Sequence, residues 1–405
     1  MTWKSVRAAV PVGLTAALVL AGTPALAAVP WNPLDLTANA FGATPVLSAP
    51  MGYETALIGE GARARVVYQT NLHAIEELVG SPGSPHDDWV RRTVSTTSDA
   101  ASAPSGYETT GPRPVARVVF RTTAGDIEEF NLSNPFDQWV GNDLSALFGA
   151  PPAAGAPFGY TTDLGTGEVA RVVYRMADGH IEELNLAPGQ SWLHNDLTNI
   201  AGAPPAASDP VAYQTDLPDQ GPVARVVYRT TDGTVEELSV LPGHPWQAAP
   251  LSLIAPGAPP AASAPVGFES NAFFGSPFGS AVARVVYRAT NGNVEQLSVL
   301  AGGSWTATNL SQNGAPRAAS APFGYPTLLA GQGPAARVVY QGTDGNIWDL
   351  KATGLNNWAP NQIAGNPGAT IVPFGYQTNL VGENPTARVV YRAGLHIHEL
   401  SSTVG

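Results

Sequence analysis

Seven arginines recur along the chain, each followed at an almost fixed distance by an acid or an amide. They are Arg65, Arg117, Arg171, Arg225, Arg284, Arg337 and Arg388. Twelve residues beyond the first four stand Glu77, Glu129, Glu183 and Glu237; the fifth has Gln296, the sixth Asp349, and the seventh reaches Glu399 in 11. A guanidinium donates in a rigid fork and a carboxylate only accepts, which together match the vicinal hydroxyls of a sugar ring. The same pair also serves as a cross-strand ion pair that fixes register. Spacing leaves both roles open. A two-residue turn would put Arg225 and Glu237 on opposite faces of a hairpin, and a three-residue loop on the same face.

Tryptophans keep step with these pairs: Trp31, Trp89, Trp139, Trp192, Trp246, Trp305 and Trp358. An indole face stacks on the apolar face of a sugar or packs a core, and both readings stand. Tyr53, Tyr107, Tyr160, Tyr213, Tyr325 and Tyr376, with Phe268 in the fifth place, read as core. His396 and His398 offer two imidazoles on one strand face, which does not amount to a metal site. No metal, cofactor or catalytic residue is expected.

The elements that position these residues repeat as well. The phrase Ala-Arg-Val-Val-Tyr/Phe occurs seven times, with gaps of 52, 54, 54, 59, 53 and 51 residues between its arginines. Each unit has four parts. Pro-x-Gly-Tyr (Pro157 to Tyr160) precedes the β-branched Arg-Val-Val-Tyr run, which reads as a strand. A turn such as Asp178-Gly179 or Asp232-Gly233 leads to Ile/Val-Glu-Glu-Leu, a hairpin signal. A Trp segment such as Trp192 to Thr198 closes the unit before a Gly/Ala/Pro linker. No part has helical length or period. Four short strands every 50 or so residues predict an all-β, seven-bladed β-propeller with four antiparallel strands per blade. The first unit begins with its last strand, Trp31 to Thr37, and the seventh stops at Glu399-Leu400-Ser401 without one. The N-terminal strand is therefore expected to join the C-terminal blade and close the ring, which leaves no exposed edge.

Composition sets the outer bounds. The chain has 405 residues with 43 Gly, 37 Pro, no Cys, 13% charged residues and a formal charge of −12. Disulfides and thiolate metal sites are excluded, and the acidic balance argues against nucleic acid as a partner. Lys4 and Arg7, the apolar stretch Ala8 to Gly22 and Ala25-Leu26-Ala27 read as a secretory signal, cleaved after Ala27. Its loss would take the charge from −12 to −14, because the segment carries two cations and no acid. The expected organisation is thus a signal peptide at 1–27 and a propeller at 28–405, secreted, with no membrane insertion. Asn271 to Ser280, with Phe273, Phe274 and Phe278, is an insertion in the fifth unit, either a lip over a pocket or the packing of a longer loop.

The blade pattern resembles two lectin families over all of 28–405. Arg-Val-x-Tyr, a turn, an acid 12 residues on and then Gly-x-x-Trp is similar to the blade of fungal fucose-specific lectins. The unit count, with Trp192-Leu193-His194-Asn195-Asp196-Leu197-Thr198 before Gly202-Ala203-Pro204-Pro205, resembles the bacterial seven-bladed PLL-like lectins. The fungal resemblance implies that Arg and Glu bond fucose hydroxyls while an aromatic of the adjacent blade stacks on the sugar. Carried over, its pockets hold Arg65 with Glu77, Arg117 with Glu129, Arg171 with Glu183 and Arg225 with Glu237. Trp139, Trp192, Trp246 and Trp305 are the stacking candidates. Gln296, Asp349 and the shortened seventh spacing depart from that pattern. In the bacterial group the contacts need not use this pair. The expected function is a secreted, multivalent carbohydrate-binding protein that recognises glycans or glycoconjugates, not an enzyme. A homo-oligomer is compatible with it. A propeller glycosidase or lyase is the rival reading, though it calls for unlike groups in one asymmetric site. A protein-interaction scaffold is the third.

Overall fold

The Arg-Val-Val-Tyr runs form strands buried on both faces: Val172, Val173 and Tyr174 are all fully buried, as are Val66, Val67 and Tyr68. A strand that is apolar at successive positions needs a sheet packed against it on each side. Stacking blades around a ring supplies both neighbours. The computed structural model describes residues 31–81, 88–271, 281–352, 355–368 and 371–403. The proposed signal, 1–27, lies outside them, as does the fifth-unit insertion after Asn271 with its three phenylalanines.

Seven separate four-stranded antiparallel sheets make up the described chain. In the third blade the strands Phe158–Asp163, Glu168–Arg175, Ile181–Leu186 and Leu193–Asp196 pair in sequence order. The first strands of all seven blades contact one another in an unbroken circle, so they form the inner wall and the Trp strands the rim. The last blade is composite: Phe374–Thr378, Thr386–Ala393 and His396–Ser402 are completed by Asn32–Asp35. Asn32 lies opposite Ser401 and Asp35 opposite His398, which closes the ring as the termini predicted.

The central hairpin settles the face question. Thr230 N donates to Thr234 O at 2.9 Å and Gly233 N to Thr230 O at 3.1 Å, with Gly233 at φ +88°. This is a three-residue loop with glycine in the left-handed region. Arg225 stands opposite Ser239 and Glu237 opposite Val227, so Arg225 and Glu237 share a face. One expectation fails. Single helical turns follow several Trp strands, among them Leu144–Phe148 and Leu197–Ala201. Asp143 and Asp196 cap them by accepting from Ala146 N and Asn199 N. Asp-Leu-Ser and Asp-Leu-Thr carried that capping signal, but a single turn is too short to display a period.

Tyrosine and glycine zip neighbouring blades together. A Cβ on Gly159 would collide with the ring of Tyr107, one blade earlier, and Gly52, Gly106, Gly267, Gly324 and Gly375 are equally pressed by the preceding ring. The fourth blade alone carries a Cβ at this place, Ala212, in one apolar cluster with Tyr160. Gly159→Ala is expected to overpack the inner wall and cost about 1–3 kcal/mol. Urea unfolding would register it as a lower midpoint at unchanged slope, and an unchanged midpoint would refute the contact.

Candidate functional site

Each repeat arginine lies on the face that its blade turns toward the next one. There it makes the same two bonds in every blade. Nη1 donates to the acid or amide: Arg65 to both oxygens of Glu77 at 2.9 Å, Arg171 to Glu183 at 2.7 Å, and Arg225 to Glu237 at 2.6 Å. Arg117 pairs with Glu129, Arg337 with Asp349, and Arg388 with Glu399. Nε donates to a hydroxyl on the inner strand, Thr55, Thr109, Thr162, Thr215, Ser270, Thr327 or Thr378. Sequence reasoning missed these hydroxyls. Their signal was present as Tyr/Phe-x-Thr/Ser in every unit, from Tyr53-Glu54-Thr55 to Tyr376-Gln377-Thr378.

The tryptophan of the following blade completes the group. Trp139 donates its indole N–H to Glu77 at 3.2 Å. The guanidinium carbon of Arg117 stands 5.9 Å from the Trp192 ring centre, within cation–π range. Arg284 meets Trp358 at 5.6 Å and Arg337 meets Trp31 at 5.7 Å in the same way. Trp246 and Trp305 pack in apolar clusters with Tyr160 and Tyr213, the inner-strand tyrosines of the blades before them. Of the stacking candidates, Trp192 therefore faces back to the Arg117 junction, and Trp246 stands toward the Arg171 side.

Burial divides the four pairs singled out from sequence. Arg65 and Glu77 are sealed and Arg225 with Glu237 nearly so, whereas Arg117 and Arg171 keep an exposed part above buried Glu129 and Glu183. A cavity of about 370 Å³ opens on Arg117, walled by Thr109, Pro112, Arg113, Glu168, Pro188 and Gln190. Glu168 is anchored there by the backbone N–H and hydroxyl of Thr110 and by Gly111 N.

Electrostatics follow the partners. Burial alone pulls the Arg65 guanidinium down, but Glu77 and Glu60 outweigh it and hold the pKa above the ordinary arginine value. Arg284 has the neutral Gln296 in place of an acid, and burial drops it to about 10. Burial likewise pushes Glu237 up against the opposing pull of Arg225. His396 lies 3.0 Å from Asp35, and among the described residues no group of His, Cys, Asp and Glu is arranged to hold a metal.

The first acid of each Ile/Val-Glu-Glu run points to the other face of the sheet. Buried Glu236 has no ion-pair partner among the described residues, and burial raises its pKa from 4.5 to about 7, with Asp232 and Glu237 adding to the effect. Glu295 rises to about 6 by burial. The folded state thus holds protons that the unfolded chain releases, so stability is lost as pH rises from about 4.5 through about 7. Glu236→Gln is expected to raise the melting temperature at pH 8 and flatten its decline between pH 5 and 8. Parallel melting curves for both proteins across that range would contradict the assignment.

No family model and no curated protein matches the sequence. Solved structures share the fold. A BP39L lectin from Burkholderia pseudomallei has a TM-score of 0.60 at 14% identity, covering 89% of this chain and 99% of that one. A fucose-specific lectin from Aleuria aurantia has 0.51 at 14% identity, covering 80% and 100%. A triple arginine-to-alanine mutant of AofleA from Arthrobotrys oligospora has 0.51 at 14%, covering 84% and 91%.

Proposed function

We propose that the chain is a secreted, multivalent carbohydrate-binding protein whose sites lie between adjacent blades and take fucose or a similar monosaccharide unit. The observation that carries this reading is the group at the Arg117 junction: a paired guanidinium and carboxylate, Trp192 from the next blade, and a cavity opening on the guanidinium. A sugar hydroxyl there accepts from the guanidinium while another donates to Glu129 or Glu168. Its C–H face rests on the indole. The arginine with its acid or amide recurs around the ring, as a family of related binding sites requires and a single asymmetric catalytic site does not. The fold is shared with proteins named as lectins, one of them fucose-specific. Export is proposed on the basic, apolar and small-residue pattern of residues 1–27.

Individual sites of this kind are weak, and useful affinity comes from engaging several at once. The mature protein is expected to cross-link glycan-coated beads, with methyl α-L-fucoside competing only at high concentration. Arg117→Ala is expected to abolish binding at its junction, since a hydrogen bond to a charged group contributes about 1.5–3 kcal/mol. Calorimetry that finds one tight site per chain, or turnover of an oligosaccharide, would favour the glycosidase reading instead.

A further inference from the structure

Two of the three guanidinium nitrogens are used alike in every blade; the third is not. In four blades the residue five positions before the arginine is Glu or Gln, and its oxygen sits at Nη2. Glu60 bonds Arg65, Gln220 accepts from Arg225 at 2.9 Å, Gln332 from Arg337 at 3.5 Å, and Glu383 lies 3.8 Å from Arg388. In the second and third blades that position is Pro112 and Thr166, and Nη2 of Arg117 and Arg171 meets no acceptor among the hydrogen bonds of the described residues. Exposure follows the difference. The Arg117 and Arg171 side chains are 12% and 11% exposed, against 0%, 6%, 1% and 2% for Arg65, Arg225, Arg337 and Arg388. In the fifth blade Nη1 of Arg284 also donates to Leu355 O, and the amide of Gln296 replaces the acid.

We infer that the residue five before the repeat arginine decides whether a junction accepts a ligand. A Glu or Gln oxygen there takes the place that a ligand hydroxyl oxygen takes at Nη2, so the junction is satisfied from within. Proline and threonine are too short or the wrong shape to do this. The cap closes four of the seven junctions, and at the fifth, which has Gly279 in the cap position, the Gln296 amide and the Leu355 carbonyl occupy Arg284 instead; the two that follow the second and third blades, at Arg117 and Arg171, stay open. This inference rests on the carbohydrate reading above and narrows it to a valency set by one loop position.

The test exchanges the caps. Gln220 and Thr166 are both exposed, so neither substitution disturbs the core. Calorimetric titration of the full-length mature chain with methyl α-L-fucoside is expected to saturate at about two sites, since only unsatisfied guanidinium donors have a bond left to offer. Gln220→Thr is expected to add about one site and Thr166→Gln to remove about one, by the same count of free donors. Binding that persists with unchanged stoichiometry in either variant, or a wild-type count near seven, would overturn the gating and leave the carbohydrate reading standing. No saccharide binding by any of the three proteins, each shown folded by its melting curve, would overturn both.

Discussion

Arg65→Met is expected to lower the unfolding free energy by about 3–5 kcal/mol, the cost of leaving a buried carboxylate without its counter-charge. The loss has a specific origin. Arg65 is fully buried, and its three nitrogens satisfy Thr55, both oxygens of Glu77, and Glu60. Methionine fills much of the volume but leaves buried Glu77 without its cation, with half-buried Glu60 across from it. Part of the loss should return on acidification, when protonation removes their charge. Arg117→Met should cost less, because that side chain is partly exposed and has no Glu at the capping position. Chemical denaturation of both variants at pH 7 and pH 5 measures this. Equal losses, or none at Arg65, would mean that the pair is not the buried pin described.

The second large effect concerns ring closure. A chain beginning at residue 41 lacks Asn32–Asp35, the partner of His396–Ser402, together with the following turn. It also loses Leu36 and Ala40, both fully buried in a cluster with Val390, Ile397 and Tyr376. Burying a leucine alone is worth roughly 1.5–3 kcal/mol, and the truncation adds an open strand edge. The truncated protein is expected to melt well below a chain beginning at residue 28 and to self-associate as concentration rises. A synthetic peptide of residues 31–40 should restore both properties. Melting and sedimentation that match the intact chain would contradict closure by the terminal strand.

The architecture was legible because it is written seven times: a strand that is ambiguous once is unambiguous when its turn, its aromatic and its spacing recur. Even the split blade could be read from what each terminus lacks. The site was harder. Whether Arg225 and Glu237 share a face depends on loop type, and Asp232-Gly233 suits both a two-residue turn and the three-residue loop found. That Trp192 serves the Arg117 junction follows from which face each blade presents, a property of the assembled ring. The hydroxyls at Thr55 to Thr378 were periodic but chemically inconspicuous. The caps were invisible for the opposite reason. Glu60, Pro112, Thr166 and Gln220 differ from one another, and a search for what repeats passes over what varies.

The most direct test of the account is a crystal structure of residues 28–405 soaked in methyl α-L-fucoside. The account predicts a sugar ring at the junction of the second and third blades, its apolar face on Trp192 and its hydroxyls on Arg117 Nη2 and Glu129. A saccharide bound on the outer rim or in the central opening, with the Arg117 cavity empty at saturating sugar, would contradict it.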